Sequence, residues 1–98
     1  MLKKLIASCL IAASCFGYST KDMNLEEKVG QLFVVVFRGE EANDNAKALI
    51  QEMHVGGFIY YNWANGLTSP AQVKSLGQGL QKLAQETRLS IPLLITAD

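Results

Sequence analysis

Apolar residues occur along this chain in three continuous runs, LFVVVF at 32–37, FIYY at 58–61 and IPLLITA at 91–97. None of these runs alternates with polar residues, and the first is rich in β-branched residues. Short uninterrupted runs of this kind, bounded by glycine and polar residues, are typical of strands that are buried on both faces of a parallel sheet. The pattern therefore predicts three such strands, with Pro92 tolerated near the start of the third.

Two helices are predicted around the first strand. Asn24 precedes LEEKVGQLF, and Glu27 follows it at the spacing of a capping box, which predicts a short helix that stops near Gly30. Beyond RGEEANDN, an apolar stripe spaced i, i+3, i+4 and i+7 begins at Ala46. This spacing predicts one face of a helix from about residue 44 to about residue 54.

A longer helix is predicted before the third strand, after a loop formed by NWANGLT. It begins in SPAQ at 69–72, where serine caps, proline fits the first turn and glutamine completes a capping box; its apolar stripe continues to about residue 88. Gly77 and Gly79 lie inside it, and each costs about 1 kcal/mol relative to alanine. Close packing against the sheet would explain Gly77, whereas the sequence offers no reason for Gly79.

The predicted order is helix, strand, helix, strand, helix, strand. Alternation of this kind predicts an α/β fold with parallel pairing through right-handed crossovers. Three strands leave at least one parallel edge unpaired, and a complete (β/α)8 barrel takes about 250 residues. The chain is therefore expected to be the first third of a larger architecture.

Composition is that of a globular domain, with 49% hydrophobic and 18% charged residues among 98. The formal net charge is zero, so nothing indicates a polyanion-binding protein, and we expect no nucleic-acid partner.

The charges are distributed unequally, because the first 21 positions hold three of the nine basic residues and none of the nine acidic ones. A positive head, MLKK, is followed by the apolar run LIASCLIAASCF and the polar exit GYST, in the order of a secretory signal peptide. The apolar run is shorter than the roughly 20 residues of a membrane span. We predict a signal peptide at residues 1–20 and export of the remainder; a buried N-terminal helix is the alternative.

Both cysteines fall inside this predicted signal peptide, so the remainder of the chain has no disulfide framework. Cys15 follows Ala-Ala-Ser, which resembles a bacterial lipoprotein box, and it is the candidate for lipidation. Ordinary cleavage after Gly17 or Ser19 is the competing prediction. The expected location is accordingly periplasmic, extracellular or membrane-anchored, with membrane contact only through an N-terminal lipid.

Candidate site residues follow the three strands, because function in parallel α/β folds collects at the carboxyl ends of the strands. Asp98 could accept hydrogen bonds from ligand hydroxyls there, or it could be a helix cap or a solvated chain end. Trp63 and Tyr61 could stack on a sugar ring, or they could be packing aromatics. Asn62 and Asn65 could read polar groups, although asparagine near glycine is more often turn chemistry.

Other chemistry is not indicated by the sequence. His54 precedes the second strand, which is the wrong end for catalysis, and a packing role or a role at the helix terminus is favoured. No spacing suggests metal ligands, and no GxSxG elbow, P-loop or GxGxxG motif is present. We therefore expect no metal ion or other cofactor.

Four stretches taken together resemble the opening of glycoside hydrolase family 3: NLEEKVGQLFVVVF, ALIQEMHVGGFIYY, SPAQVKSLGQGLQKLA and IPLLITAD. The branch they resemble most is the bacterial β-N-acetylglucosaminidases, and the resemblance covers residues 24–98. It implies an α/β fold in which residues 21–98 are the N-terminal three βα units of a (β/α)8 TIM-type barrel, incomplete in this chain.

The resemblance also implies a retaining hydrolase that removes terminal β-linked N-acetylhexosamine, with a carbohydrate as its partner. Asp98 is similar to the family aspartate that binds sugar hydroxyls, and Trp63 and Asn62 are secondary substrate-binding candidates. The family's nucleophilic aspartate and, in this branch, its acid/base histidine lie on later segments. No catalytic residue is therefore expected within this chain, which should be inactive alone.

Two rival functions remain open at this point. One is a family 3 hydrolase of the β-glucosidase type. The other is a short, non-catalytic envelope lipoprotein that binds sugar or a partner through its open sheet edge.

Overall fold

The computed structural model describes residues 19–98. Residues 1–18, which hold both cysteines and nearly all of the predicted signal peptide, lie outside the described residues, so the lipidation prediction at Cys15 stays a prediction. Within the described part, no helix is both long enough and apolar enough to cross a membrane.

The predicted alternation of helices and strands is confirmed. After a 3-10 turn at Thr20–Asp22, the elements are α1 (Leu25–Gly30), β1 (Val34–Val35), α2 (Asp44–Gln51), β2 (Gly57–Tyr60), α3 (Asn62–Asn65), α4 (Pro70–Gln85) and β3 (Leu94–Ala97). The regular ladders are shorter than the apolar runs, and α2 and α4 each end about three residues early. The short helix α3 replaces the predicted loop.

The predicted helix caps are present, with one difference. The Asn24 side chain accepts the Glu27 N–H at 2.8 Å, and the Glu27 carboxylate accepts the Asn24 N–H at 3.1 Å, which confirms the capping box. Ser69 caps α4 by accepting the Gln72 N–H at 3.1 Å. The predicted return bond from Gln72 to Ser69 is wrong, because the Gln72 side chain accepts the N–H of Thr68 instead.

The strands form one parallel sheet in the order β1-β2-β3. The register aligns Val35, Phe58 and Ile95 in one row, and this row faces α2 and α4. Phe58 is fully buried beneath Leu76 and Leu80. This helix face of the sheet contains the hydrophobic core.

The opposite face of the sheet is open. Val34 and Leu94 flank Gly57 in the adjacent row, and their side chains are 44% and 61% exposed. The expectation that the strands are buried on both faces is therefore wrong for β1 and β3 among residues 19–98. The two long helices cover one face only, and the apolar side chains of the other face have no covering layer in the described part of the chain.

The two glycines of α4 differ in their surroundings. A Cβ atom placed on Gly77 would lie 3.6 Å from the Tyr60 hydroxyl, which is an ordinary contact, so the sheet does not require a glycine there. A Cβ atom on Gly79 would lie 2.9 Å from the Cβ atom of Ala42, closer than two carbon atoms normally approach. Gly79 therefore lets α4 lie against the loop that precedes α2.

Candidate functional site

The carboxyl ends of the three strands form one rim. Tyr60 and Ala97 are register partners, and Asp98 donates its backbone N–H to the Tyr60 carbonyl at 3.1 Å. The register of β1 with β2 brings Arg38 to the same edge. The structure therefore places the predicted site residues after adjacent strands, as parallel pairing requires.

Asp98 presents an exposed carboxylate at this rim. Among residues 19–98 the one ion pair joins Arg88 and Glu27, so Asp98 has no cationic partner there. A carboxylate in this state is an acceptor for the hydroxyl groups of a ligand. Exposure of Asp98 fits both the predicted substrate-binding role and a solvated chain end, so the substrate-binding role stays a prediction.

An aromatic and cationic cluster stands on the rim beside Asp98. The Trp63 ring stacks on the Tyr61 ring with centroids 5.3 Å apart and an interplanar angle of 27°. The guanidinium carbon of Arg38 lies 5.4 Å from the Trp63 ring centroid, within the range of a cation–π interaction. Trp63 remains 63% exposed, so much of the indole is accessible to a ligand.

Asn62 and Asn65 begin and end α3, and they have different surroundings. Asn62 is exposed at the rim, where its amide is available to a ligand. Asn65 is completely buried, although a small polar side chain seldom is. The sequence predicted that Asn65 either stabilises a turn or binds a polar group of a ligand. Neither prediction accounts for its complete burial.

The Asn65 amide connects the ends of two strands. Its Nδ2 atom donates to the carbonyl oxygens of Phe37 and Gly39, both at 3.0 Å, and its Oδ1 atom accepts the Tyr61 N–H at 3.1 Å. Sequence reasoning missed this role. The available signal was a second asparagine within a short polar stretch after a strand. Tyr61 is a local partner, but Phe37 and Gly39 are more than 20 residues away and are identified only by the fold.

Further hydrogen bonds hold the loop after β1 in place. The Asn43 Nδ2 atom donates to the Arg38 carbonyl at 2.9 Å. The Gln72 Nε2 atom donates to the carbonyl oxygens of Glu40 at 2.7 Å and Asn65 at 3.0 Å. Backbone atoms on this side of the sheet are thus fixed by three side-chain amides, which gives the rim a defined shape.

His54 lies at the other end of the sheet, as the sequence predicted. It lines a cavity of about 380 Å³ together with Glu27, Gln31 and Arg88. Its backbone has a positive φ of 58°, and its carbonyl oxygen accepts a hydrogen bond from the Gln31 side chain at 3.0 Å. His54 is therefore remote from the rim and belongs to the packing of α1 against the end of α2.

The same end of the molecule holds an ion pair between Glu27 and Arg88. The hydrogen bond from Arg88, and next to it the bond from the Asn24 N–H, hold the pKa of the Glu27 carboxyl below its ordinary value of 4.5. Arg88 also donates to the Asp22 carbonyl at 2.8 Å. This pair braces α1 against the segment that follows α4, and no metal-binding cluster occurs in residues 19–98.

The sequence and the structure were compared with known proteins, and both comparisons find members of one family. The profile of the Glycosyl hydrolase family 3 N terminal domain matches residues 24–98. Beta-glucosidase C of Emericella nidulans is 33% identical over 93 residues, which are 89% of this chain and 15% of that protein. Probable beta-glucosidase C of Aspergillus oryzae is 29% identical over 85 residues, covering 78% of this chain and 13% of that protein.

A solved structure is also similar. It is a glycoside hydrolase family 3 beta-N-acetylglucosaminidase from Paenibacillus sp. str. FPU-7, with 47% sequence identity and a TM-score of 0.69. The match covers 78% of this chain and 14% of that one. The chain thus spans a small part of the length of each relative.

Proposed function

Since the chain belongs to glycosyl hydrolase family 3, we propose that residues 24–98 form the N-terminal three βα units of a (β/α)8 barrel in a retaining glycoside hydrolase. The parallel order β1-β2-β3 supports this assignment, because consecutive barrel strands pair in chain order. The open row that contains Val34 and Leu94 supports it too, since that face would point into the barrel interior.

The proposed substrate is a terminal β-linked N-acetylhexosamine, such as that of peptidoglycan or other amino-sugar glycosides. One observation carries this choice: the similarity to the beta-N-acetylglucosaminidase from Paenibacillus, at 47% identity, exceeds the 33% identity to the fungal beta-glucosidase. We propose that the protein acts outside the cytoplasm, with its export signal within residues 1–20. Cleavage before Cys15 would leave that residue as a lipid-bearing N-terminus, whereas cleavage after Gly17 or Ser19 would remove it.

The residues of the rim bind the sugar in this proposal and do not break the bond. Asp98 accepts hydrogen bonds from hydroxyls of the terminal sugar, while Trp63 and Asn62 form the neighbouring wall. Retaining hydrolysis requires a nucleophile and an acid/base on opposite sides of the scissile bond, about 5–5.5 Å apart when both are carboxyls. The family resemblance assigns both groups to later segments, so residues 24–98 supply substrate binding.

A β-glucoside is the rival substrate, and the identity to Beta-glucosidase C of Emericella nidulans favours it. Two chimeras separate the alternatives. Residues 24–98 replace the matched segment in the Paenibacillus enzyme and, separately, in the Emericella enzyme. Each chimera is assayed on chromogenic β-N-acetylglucosaminide and β-glucoside, with its parent enzyme as control.

We expect the Paenibacillus chimera to keep its parent's kcat/KM within about tenfold, and the Emericella chimera to lose more than about a hundredfold, because a mismatched barrel interface displaces the rim. The reverse result would assign the segment to the β-glucosidase branch. Loss of activity in both chimeras would refute its assignment as an interchangeable part of a family 3 barrel.

A further inference from the structure

We propose that Asn65 is a positioning residue. Its buried side-chain amide determines the positions of both Arg38 and Trp63 at the rim. Asn65 touches no ligand in this proposal and acts through the two rim side chains. The consequence for sugar binding rests on the proposed function, whereas the positioning itself does not.

The geometry places the two donors of the amide on either side of Arg38. They bind the carbonyl oxygens of Phe37 and Gly39, the residues immediately before and after Arg38. Because the carbonyl groups on both sides of Arg38 are held, its backbone has little freedom to rotate. The backbone therefore fixes the direction in which the Arg38 side chain leaves the loop.

The acceptor of the same amide determines the position of Trp63. Asn65 Oδ1 receives the N–H of Tyr61, the residue from which α3 starts. Trp63 lies in the middle of α3, and its ring contacts both Tyr61 and Arg38. A shift of the Asn65 amide would therefore move the indole and the guanidinium relative to each other.

An Asn65→Asp substitution separates the donors from the acceptor. The carboxylate keeps an oxygen for the Tyr61 N–H, but it has no N–H groups and turns an oxygen toward two carbonyl oxygens in a buried site. We expect the Arg38 backbone to move away while α3 stays capped. The Arg38–Trp63 contact should then be lost.

Trp63 is the one tryptophan of the chain and reports on its own surroundings. The test measures acrylamide quenching of Trp63 fluorescence in the full 98-residue chain. The variants are Asn65→Asp, Arg38→Ala and the double variant. Asn45→Asp is the matched control, because it makes the same chemical change at an exposed position of α2.

We expect Asn65→Asp and Arg38→Ala each to increase quenching by a similar amount, the double variant to add nothing further, and Asn45→Asp to match the wild type. Non-additivity shows that the two residues act through one contact. Equal quenching in wild type and Arg38→Ala overturns the proposal, even if Asn65→Asp fails to fold. Additive increases in quenching by the two substitutions would also overturn it. So would equal quenching of wild-type Trp63 in the presence and absence of urea.

A second arm titrates the same proteins with N-acetylglucosamine and follows Trp63 fluorescence. We expect the affinity to fall equally in Asn65→Asp and Arg38→Ala, with no further fall in the double variant. If N-acetylglucosamine does not change the fluorescence of the wild type but the quenching results are as expected, positioning by Asn65 is supported and sugar binding by the rim is refuted.

Discussion

Asp98 donates its backbone N–H to the carbonyl oxygen of Tyr60 across 3.1 Å, so the ladder between the second and third strands continues one residue past β3. This bond fixes the backbone of Asp98 at the rim and leaves its carboxylate exposed. Because its backbone is already fixed, Asp98 loses only side-chain freedom when a ligand binds.

Asp98→Ala in the Paenibacillus chimera should therefore weaken substrate recognition. Loss of a hydrogen bond to a charged group costs roughly 1.5–3 kcal/mol, so kcat/KM for the β-N-acetylglucosaminide should fall about tenfold to a hundredfold. Steady-state kinetics measure this change. Glu52→Ala, which removes an exposed acid beyond the other end of the sheet, is the control. An unchanged kcat/KM in Asp98→Ala would remove Asp98 from the site.

The Glu27–Arg88 pair should make stability depend on pH. The pKa of Glu27 is lowered in the folded state, so its ionised form contributes stability above the ordinary carboxyl pKa of 4.5, and this contribution is lost as pH falls through the lowered value. Urea unfolding between neutral and acidic pH should show a steeper acid loss in the wild type than in Glu27→Gln. Glu26→Gln, an exposed neighbour in α1, should retain the wild-type slope. Equal flattening in both variants would contradict this assignment.

The two glycines of α4 should respond in opposite directions to alanine. Gly77→Ala should raise the free energy of unfolding by up to about 1 kcal/mol, because the position is helical and a methyl group fits. Gly79→Ala should leave the protein about 1–3 kcal/mol less stable than Gly77→Ala, since the methyl group overpacks against Ala42. Chemical denaturation measures both.

Adding Ala42→Gly to Gly79→Ala provides the control for that prediction. It removes the opposing methyl group and should recover part of the loss. Failure to recover would show that the cost of Gly79→Ala arises elsewhere.

The Tyr60 hydroxyl is buried and has no hydrogen-bond partner within residues 19–98, and burial raises the pKa of this phenol. Tyr60→Phe removes an unsatisfied polar group while keeping the ring. We expect the free energy of unfolding to stay equal or to rise by about 1 kcal/mol, in contrast to the usual loss on cutting a hydrogen bond. A clear destabilisation in urea unfolding would show that the hydroxyl has a partner.

Elements with strong local signals were predictable from the sequence. The caps at Asn24 and Ser69 depend on side chains within three residues, and the three strands are continuous apolar runs. The parallel order followed from the alternation of strands and helices, because the connecting helices carry the chain back to the same end of the sheet.

Features determined by distant contacts were not predictable. α3 has four residues and no apolar period, and its form depends on Asn65 reaching back to the end of β1. Gly79 is explained by Ala42, which is distant in sequence. The open sheet face escaped prediction because apolar runs indicate which side chains avoid water, not whether the described residues supply the cover.

The rim was predictable only in part. Asp98 and Trp63 could be placed there because a strand end is visible in the sequence. Arg38 and Asn65 could not be joined to Trp63, since a cation–π contact and a buried amide leave no spacing rule in the chain.

The open row beside Gly57 has a consequence for biosynthesis. Parallel pairing joins residues that are distant in sequence, Val34 with Gly57 and Gly57 with Leu94, so the sheet should form slowly. The apolar side chains of Val34 and Leu94 stay exposed to water even after the strands have paired. An exposed apolar row on a slowly forming sheet is prone to aggregate and is a natural client for chaperones.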